Sequence, residues 1–94
     1  MILTDIFGDS AIVRFLDALL DNPNISLTLS EWAKRAGVAN SSLSRIYPIL
    51  VKEKIVTIVG KINNMTVIAL NKDSAIVKLL LSFYSELKKL RKYE

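Results

Sequence analysis

Residues 40–45 read Asn-Ser-Ser-Leu-Ser-Arg, a run of short hydrogen-bonding side chains closed by one planar guanidinium. Arg45 has the fork geometry for a two-pronged contact to the O6/N7 edge of guanine. Asn40, Ser41, Ser42 and Ser44 are short enough to approach base edges or phosphates. This is the chemistry of recognition, not of bond breaking. With no cysteine and no histidine in the chain, disulfides, zinc sites built on Cys or His, and catalysis by either residue are excluded. The carboxylates are few and scattered, and there is neither a glycine-rich phosphate loop nor a nucleophile–base pair. No enzymatic activity, metal or cofactor is expected. Serines beyond a glycine turn also serve as helix caps, and a lone arginine is often simply solvated. The neighbouring elements must decide between these roles.

The 94 residues are enough for a single domain, and 51% hydrophobic against 23% charged content suits a packed fold. Asp9 and Ser10 can cap a helix to about Asn22, with Ala11, Ile12, Phe15, Leu16, Leu19 and Leu20 on one face. Asn22-Pro23-Asn24 ends it, and the alternating Ile25–Leu29 is a candidate edge strand. Ser30 is the expected cap of a short helix through Trp32, Ala33 and Ala36 that stops at Gly37. Trp32 is expected in or near the core. Asn40 or Ser41 would cap the next helix, which turns Leu43, Ile46, Tyr47 and Leu50 inward and Asn40, Ser41, Ser44, Arg45, Pro48 and Lys52 outward. Pro48 removes the bond to the Ser44 carbonyl, so a kink is expected there. Ile55–Gly60 and Met65–Leu70 are strand-like, joined through Lys61-Ile62-Asn63-Asn64, whose paired asparagines suit a hairpin tip. Asp73 or Ser74 would cap a last helix reaching about Tyr93.

A helix-turn-helix followed by a hairpin resembles the winged helix-turn-helix family over roughly residues 9–71. Phe7-Gly8-Asp9-Ser10, Arg14 and the run Ser41–Leu50 are also similar to small archaeal transcription regulators of that family. The resemblance implies an α+β, mainly α fold, α-β-α-α-β-β, and the apolar spacing of the last helix adds a long C-terminal dimerisation helix. Residues 1–72 would form the DNA-binding part and 73–94 the dimerisation helix of the same compact unit. It further implies that helix 41–53 reads the major groove while wing 60–65, through Lys61, Asn63 and Asn64, meets the backbone or minor groove. Lys34 and Arg35, on the exposed side of the preceding helix, are candidates for phosphate contacts.

The net charge of +4 is unevenly spread: residues 1–29 hold Asp5, Asp9, Asp17 and Asp21 against Arg14, and every other cation lies downstream. Such a surface attracts a polyanion. In the last helix Ile76, Leu80, Phe83, Leu87 and Leu90 recur at spacings of four and three, a coiled-coil-like seam. Val77, Leu79, Leu81 and Tyr84 add apolar surface around the same helix, more than one small domain covers alone. A two-fold homodimer, with Met1–Leu3 and Ile6-Phe7 on the same seam, is the simplest partner. It would set two reading helices about 34 Å apart or a multiple of that. No apolar run approaches the roughly 20 residues of a membrane span, and Met1–Phe7 lacks the basic start of a secretion signal, so a cytoplasmic protein is expected. The leading expectation is a homodimeric, sequence-specific double-stranded DNA-binding protein, a transcription regulator. Two alternatives stay open: the DNA-binding component of a plasmid or chromosome partition system, and a winged helix used for protein–protein contact without DNA.

Overall fold

The computed structural model describes residues 2–92. In chain order it comprises α1 (Ile2–Phe7), α2 (Ala11–Asp21), β1 (Ser26–Thr28), α3 (Leu29–Ala36), α4 (Asn40–Lys52), β2 (Val56–Ile62), β3 (Met65–Leu70) and α5 (Ala75–Lys92). Met1 and Tyr93, which figure in the expectations above, lie outside the described residues. From α2 onward the elements follow the expected order, and α1 is an addition. Its first free N–H groups are capped from a distance: Leu3 and Thr4 donate to the Asp17 carboxylate at 3.0 and 3.1 Å. A cap supplied from the next helix leaves no local sequence signature.

Two caps differ from expectation. Thr28, not Ser30, caps α3, its hydroxyl accepting from Glu31 N–H while Glu31 accepts from Thr28 N–H at 3.1 Å. This Thr-x-x-Glu box satisfies two backbone donors at once, which Ser30 could not do alone. The Thr28 N–H, and the Thr28 hydroxyl donating to Glu31 Oε1 at 2.9 Å, hold the Glu31 carboxyl below its ordinary value. At α4 the N-cap is Ala39 with no side-chain cap, and Asn40 is already helical. Ser10 caps α2 as expected, accepting from Val13 N–H at 3.3 Å. Asp9 does not cap, because it is engaged by Arg14.

The three strands form an antiparallel sheet in the order β1-β3-β2. β1 is therefore an edge strand, as its alternation predicts. Ile62 pairs with Met65, so Lys61 and Ile62 belong to β2 and the tip shrinks to Asn63-Asn64. Both asparagines have left-handed backbones, φ 50° and 66°, the combination a two-residue hairpin turn requires. The register slips between Ile58 and Gly60, leaving Val59 as a bulge.

Phe15, Leu19, Trp32, Leu43, Ile68 and Val77 are fully enclosed in one core. The Trp32 indole N–H donates to the Ile68 carbonyl at 2.9 Å and the ring meets Phe15 edge-on at 6.0 Å. Trp32 thus ties α3 to both α2 and the sheet, fixing the base from which α4 projects. Val77 and Tyr84 seat α5 against the same core. Burial, aided by the nearby Asp21 and Asp17 carboxylates, pushes the Tyr84 hydroxyl up to about 12.

Candidate nucleic-acid interface

Gly37 ends α3 in the left-handed conformation, φ 72° and ψ 37°, which a residue with a Cβ adopts only with strain. Val38 N–H returns to the Ala33 carbonyl at 3.0 Å, turning the chain sharply into α4. Leu43 and Leu50 are buried and Ile46, Tyr47 and Val51 pack partly against the core. The opposite face, Asn40, Ser41, Ser44, Arg45, Pro48 and Lys52, is exposed, as the helical period predicts. The helix runs without interruption through Pro48. Ser42 is half-buried and stands at the margin of that face.

The missing α4 cap bears on this face. Capping would have engaged the Asn40 or Ser41 side chain with the helix's own N–H groups. With Ala39 at that position, both side chains and the first backbone donors of α4 are left for an external acceptor.

Across from the start of α4 stands the hairpin. A cleft of about 270 Å³ is lined by Leu29, Ser30, Asn40, Ser44, Asn64, Met65 and Thr66. The turn of the wing and the start of α4 therefore share one concavity, with hydroxyls and amides on its walls and no carboxylate. Ser30 and Thr66 were not singled out from the sequence. Ser30 read as a cap and Thr66 as an ordinary strand residue, and only the fold sets them opposite Ser44. Arg45 and Lys52 lie farther along the same helix face. Lys61, Asn63 and Asn64 on the wing are exposed, as are Lys34 and Arg35 on α3. Arg35 is also tied to the end of α2, donating to the Asn22 side-chain carbonyl at 2.9 Å.

On α1, α2 and α5 several cations are matched by acids: Arg91 with Asp5 at 2.7 Å, Lys88 with Asp21 at 2.8 Å, and Arg14 with Asp9. Hydrogen bonding from Arg91 and Arg14 holds the Asp5 and Asp9 carboxyls below their ordinary values. Among the described residues, Arg45, Lys52 and Lys61 enter no ion pair. Lys34, Arg35, Lys54, Lys72, Lys78 and Lys92 likewise enter none, so α4 and the wing carry part of a wider unpaired positive charge.

The exposed side of α5 carries apolar residues among charged and polar ones. Ile76, Phe83 and Leu90 of the expected seam are exposed, and Leu79 is the most exposed of all at 73%. Leu80 and Leu87, counted in the same seam, are instead partly buried against the protein's own core. α1 extends this surface with Ile6 and Phe7, the Phe7 ring lying 6.5 Å from that of Phe83. Among the described residues no helix is long and apolar enough to cross a membrane.

The α3–turn–α4 unit, its three-stranded sheet and the β2–β3 wing define the winged helix-turn-helix fold. Solved structures of transcription regulators share it. The chain is similar to reduced HlyU from Vibrio cholerae, at 22% identity over 92% of this chain and 84% of that one, with a TM-score of 0.63. It is similar to MepR, a transcription regulator of the Staphylococcus aureus multidrug efflux pump MepA, at 18% identity over 97% and 66% of the two chains, with a TM-score of 0.67. A MarR-family transcriptional regulator from Silicibacter pomeroyi matches at 20% identity over 92% and 62%, with a TM-score of 0.59. No family model and no curated protein matches the sequence.

Proposed function

We propose that this protein is a homodimeric, double-stranded DNA-binding transcription regulator without enzymatic activity. α4 enters the major groove and the wing follows the backbone or minor groove. The observation that carries this reading is the shared cleft: Asn40 and Ser44 of α4 face Asn64 and Thr66 of the hairpin, with Arg45 and Lys52 farther along α4 and Lys61 on the wing. Arg45 reads a base edge. Asn40, Ser41, Ser42 and Ser44 divide between bases and phosphates, and Lys34, Arg35, Lys52, Lys61, Asn63 and Asn64 hold the backbone. The neighbours described as transcription regulators share the fold that presents these residues. The exposed apolar residues of α1 and α5, Ile76, Phe83 and Leu90 joined by Leu79 and Phe7, pair two copies, with Leu80 and Leu87 at their inner margin.

Titration with mixed-sequence duplex at several salt concentrations tests the reading. Neutralising several phosphates requires the logarithm of the affinity to fall linearly with log salt, by about 0.9 per phosphate contacted. A flat response removes the DNA reading. It would favour a protein-contact role, for which the exposed Ile58, Val59, Ile62 and Met65 of the hairpin supply an apolar surface.

A further inference from the structure

The link between α3 and α4 consists of Gly37, Val38 and Ala39, and Val38 packs partly against the core. Gly37 and Val38 N–H groups point back to α3, and α4 begins without a side-chain cap. Among the described residues, one hydrogen bond reaches this link from another element. Arg14 of α2 donates from Nη1 to the Gly37 carbonyl at 2.7 Å. The rest of the guanidinium is clamped: Nη2 donates to Asp9 Oδ2 at 2.8 Å and Nε to Asp9 Oδ1. Asp9 itself is set by the corner after α1, where Gly8 takes φ 94° and its N–H meets the Thr4 carbonyl at 3.1 Å. A planar fork held along its Nε–Nη2 edge by one carboxylate presents Nη1 in a fixed direction, which a lysine cannot reproduce.

We propose that Arg14, held by Asp9, is the positioning residue of the reading helix: it pins the Gly37 carbonyl and so fixes the angle at which α4 leaves α3. Its consequence for affinity rests on the DNA-binding reading above. A plain phosphate contact by the partly exposed Arg14 makes the opposite forecast, because Asp9 would then weaken binding by competing for the guanidinium.

Arg14→Lys and Asp9→Asn separate the two. Amide hydrogen exchange at Gly37, Val38 and Leu43 is compared with that of core amides at Leu19 and Ile68, and duplex affinity is measured at fixed salt. Positioning requires link exchange to quicken roughly tenfold while the core stays within about twofold. Both variants then bind duplex roughly tenfold more weakly. Tighter binding by Asp9→Asn, or unchanged affinity in Arg14→Lys, overturns the proposal in favour of a phosphate contact. Link and core exchange rising together overturns it in favour of general stabilisation. If the parent protein binds no duplex, the DNA reading falls alone, and the exchange measurement still decides whether Arg14 holds the turn.

Discussion

Leu79 offers a clean test of the paired state, because its side chain is 73% exposed within one copy and supports nothing in that copy's core. Burying a leucine fully contributes about 1.5–3 kcal/mol. Covering the exposed 73% is then worth about 1–2 kcal/mol per copy, and a two-fold interface counts it twice, about 2–4 kcal/mol. Leu79→Glu removes that gain and brings a carboxylate from each copy into the proposed interface, where desolvation adds to the loss. At 1.4 kcal/mol per decade, the dimer dissociation constant should rise at least roughly 30- to 1000-fold. Sedimentation equilibrium over a wide concentration range measures this, with far-UV circular dichroism confirming that the monomer keeps its helices. A duplex carrying two half-sites should be bound more weakly by the variant, while a single half-site is bound equally well. A parent protein that stays monomeric throughout, or a variant that associates within threefold of it, refutes the assignment of this face.

Arg45→Ala should weaken binding to a selected duplex by about 1–3 kcal/mol and relax preference at one base pair. Its thermal midpoint should not change, because Arg45 is exposed and enters no ion pair among the described residues. Ala39→Ser supplies the cap that α4 lacks, at an extended position, φ −71° and ψ 146°. It should raise stability by about 1 kcal/mol in urea unfolding; no gain would mean that Asn40 or Ser41 already serves as the cap. Tyr84 makes a prediction in alkali. With its hydroxyl raised from 10.0 to about 12, the folded state favours the neutral phenol, so this stabilisation is intact below pH 10 and is lost as the pH rises towards 12. Lysine deprotonation is common to parent and Tyr84→Phe, so their difference in unfolding free energy should shrink by about 1–2 kcal/mol across that window. A constant difference would remove Tyr84 as the cause.

The parts of this fold that were legible in the sequence are those encoded by near neighbours. Helical spacing separated Leu43 and Leu50 from Ser44 and Arg45, and Asn63-Asn64 marked the hairpin tip because few other pairs tolerate two positive φ angles. What escaped depends on contacts between distant residues. α1 exists because Asp17 caps it from the next helix, and Thr66 meets Ser44 only after the sheet has paired. Arg14 gave no sign that it would reach Gly37, a partner 23 positions away. The seam was mixed for a similar reason. Its spacing is helical on either side of α5, so sequence alone could not separate residues facing the protein's own core, Leu80 and Leu87, from those facing outward, Ile76, Phe83 and Leu90.

The cap of α4 joins these observations to function. A serine or asparagine at position 39 would stabilise the isolated helix, and the chain has alanine there. The following residues, Asn40, Ser41 and Ser44, are poor helix formers for the reason that makes them useful ligands: their side chains compete for hydrogen bonds. A helix built this way is weak by itself and needs external anchorage. Leu43 and Leu50 supply it from the core, and Arg14 supplies it at the turn through Gly37. The stability withheld from the first turn of α4 therefore leaves donors and acceptors free at the point where that helix would meet DNA.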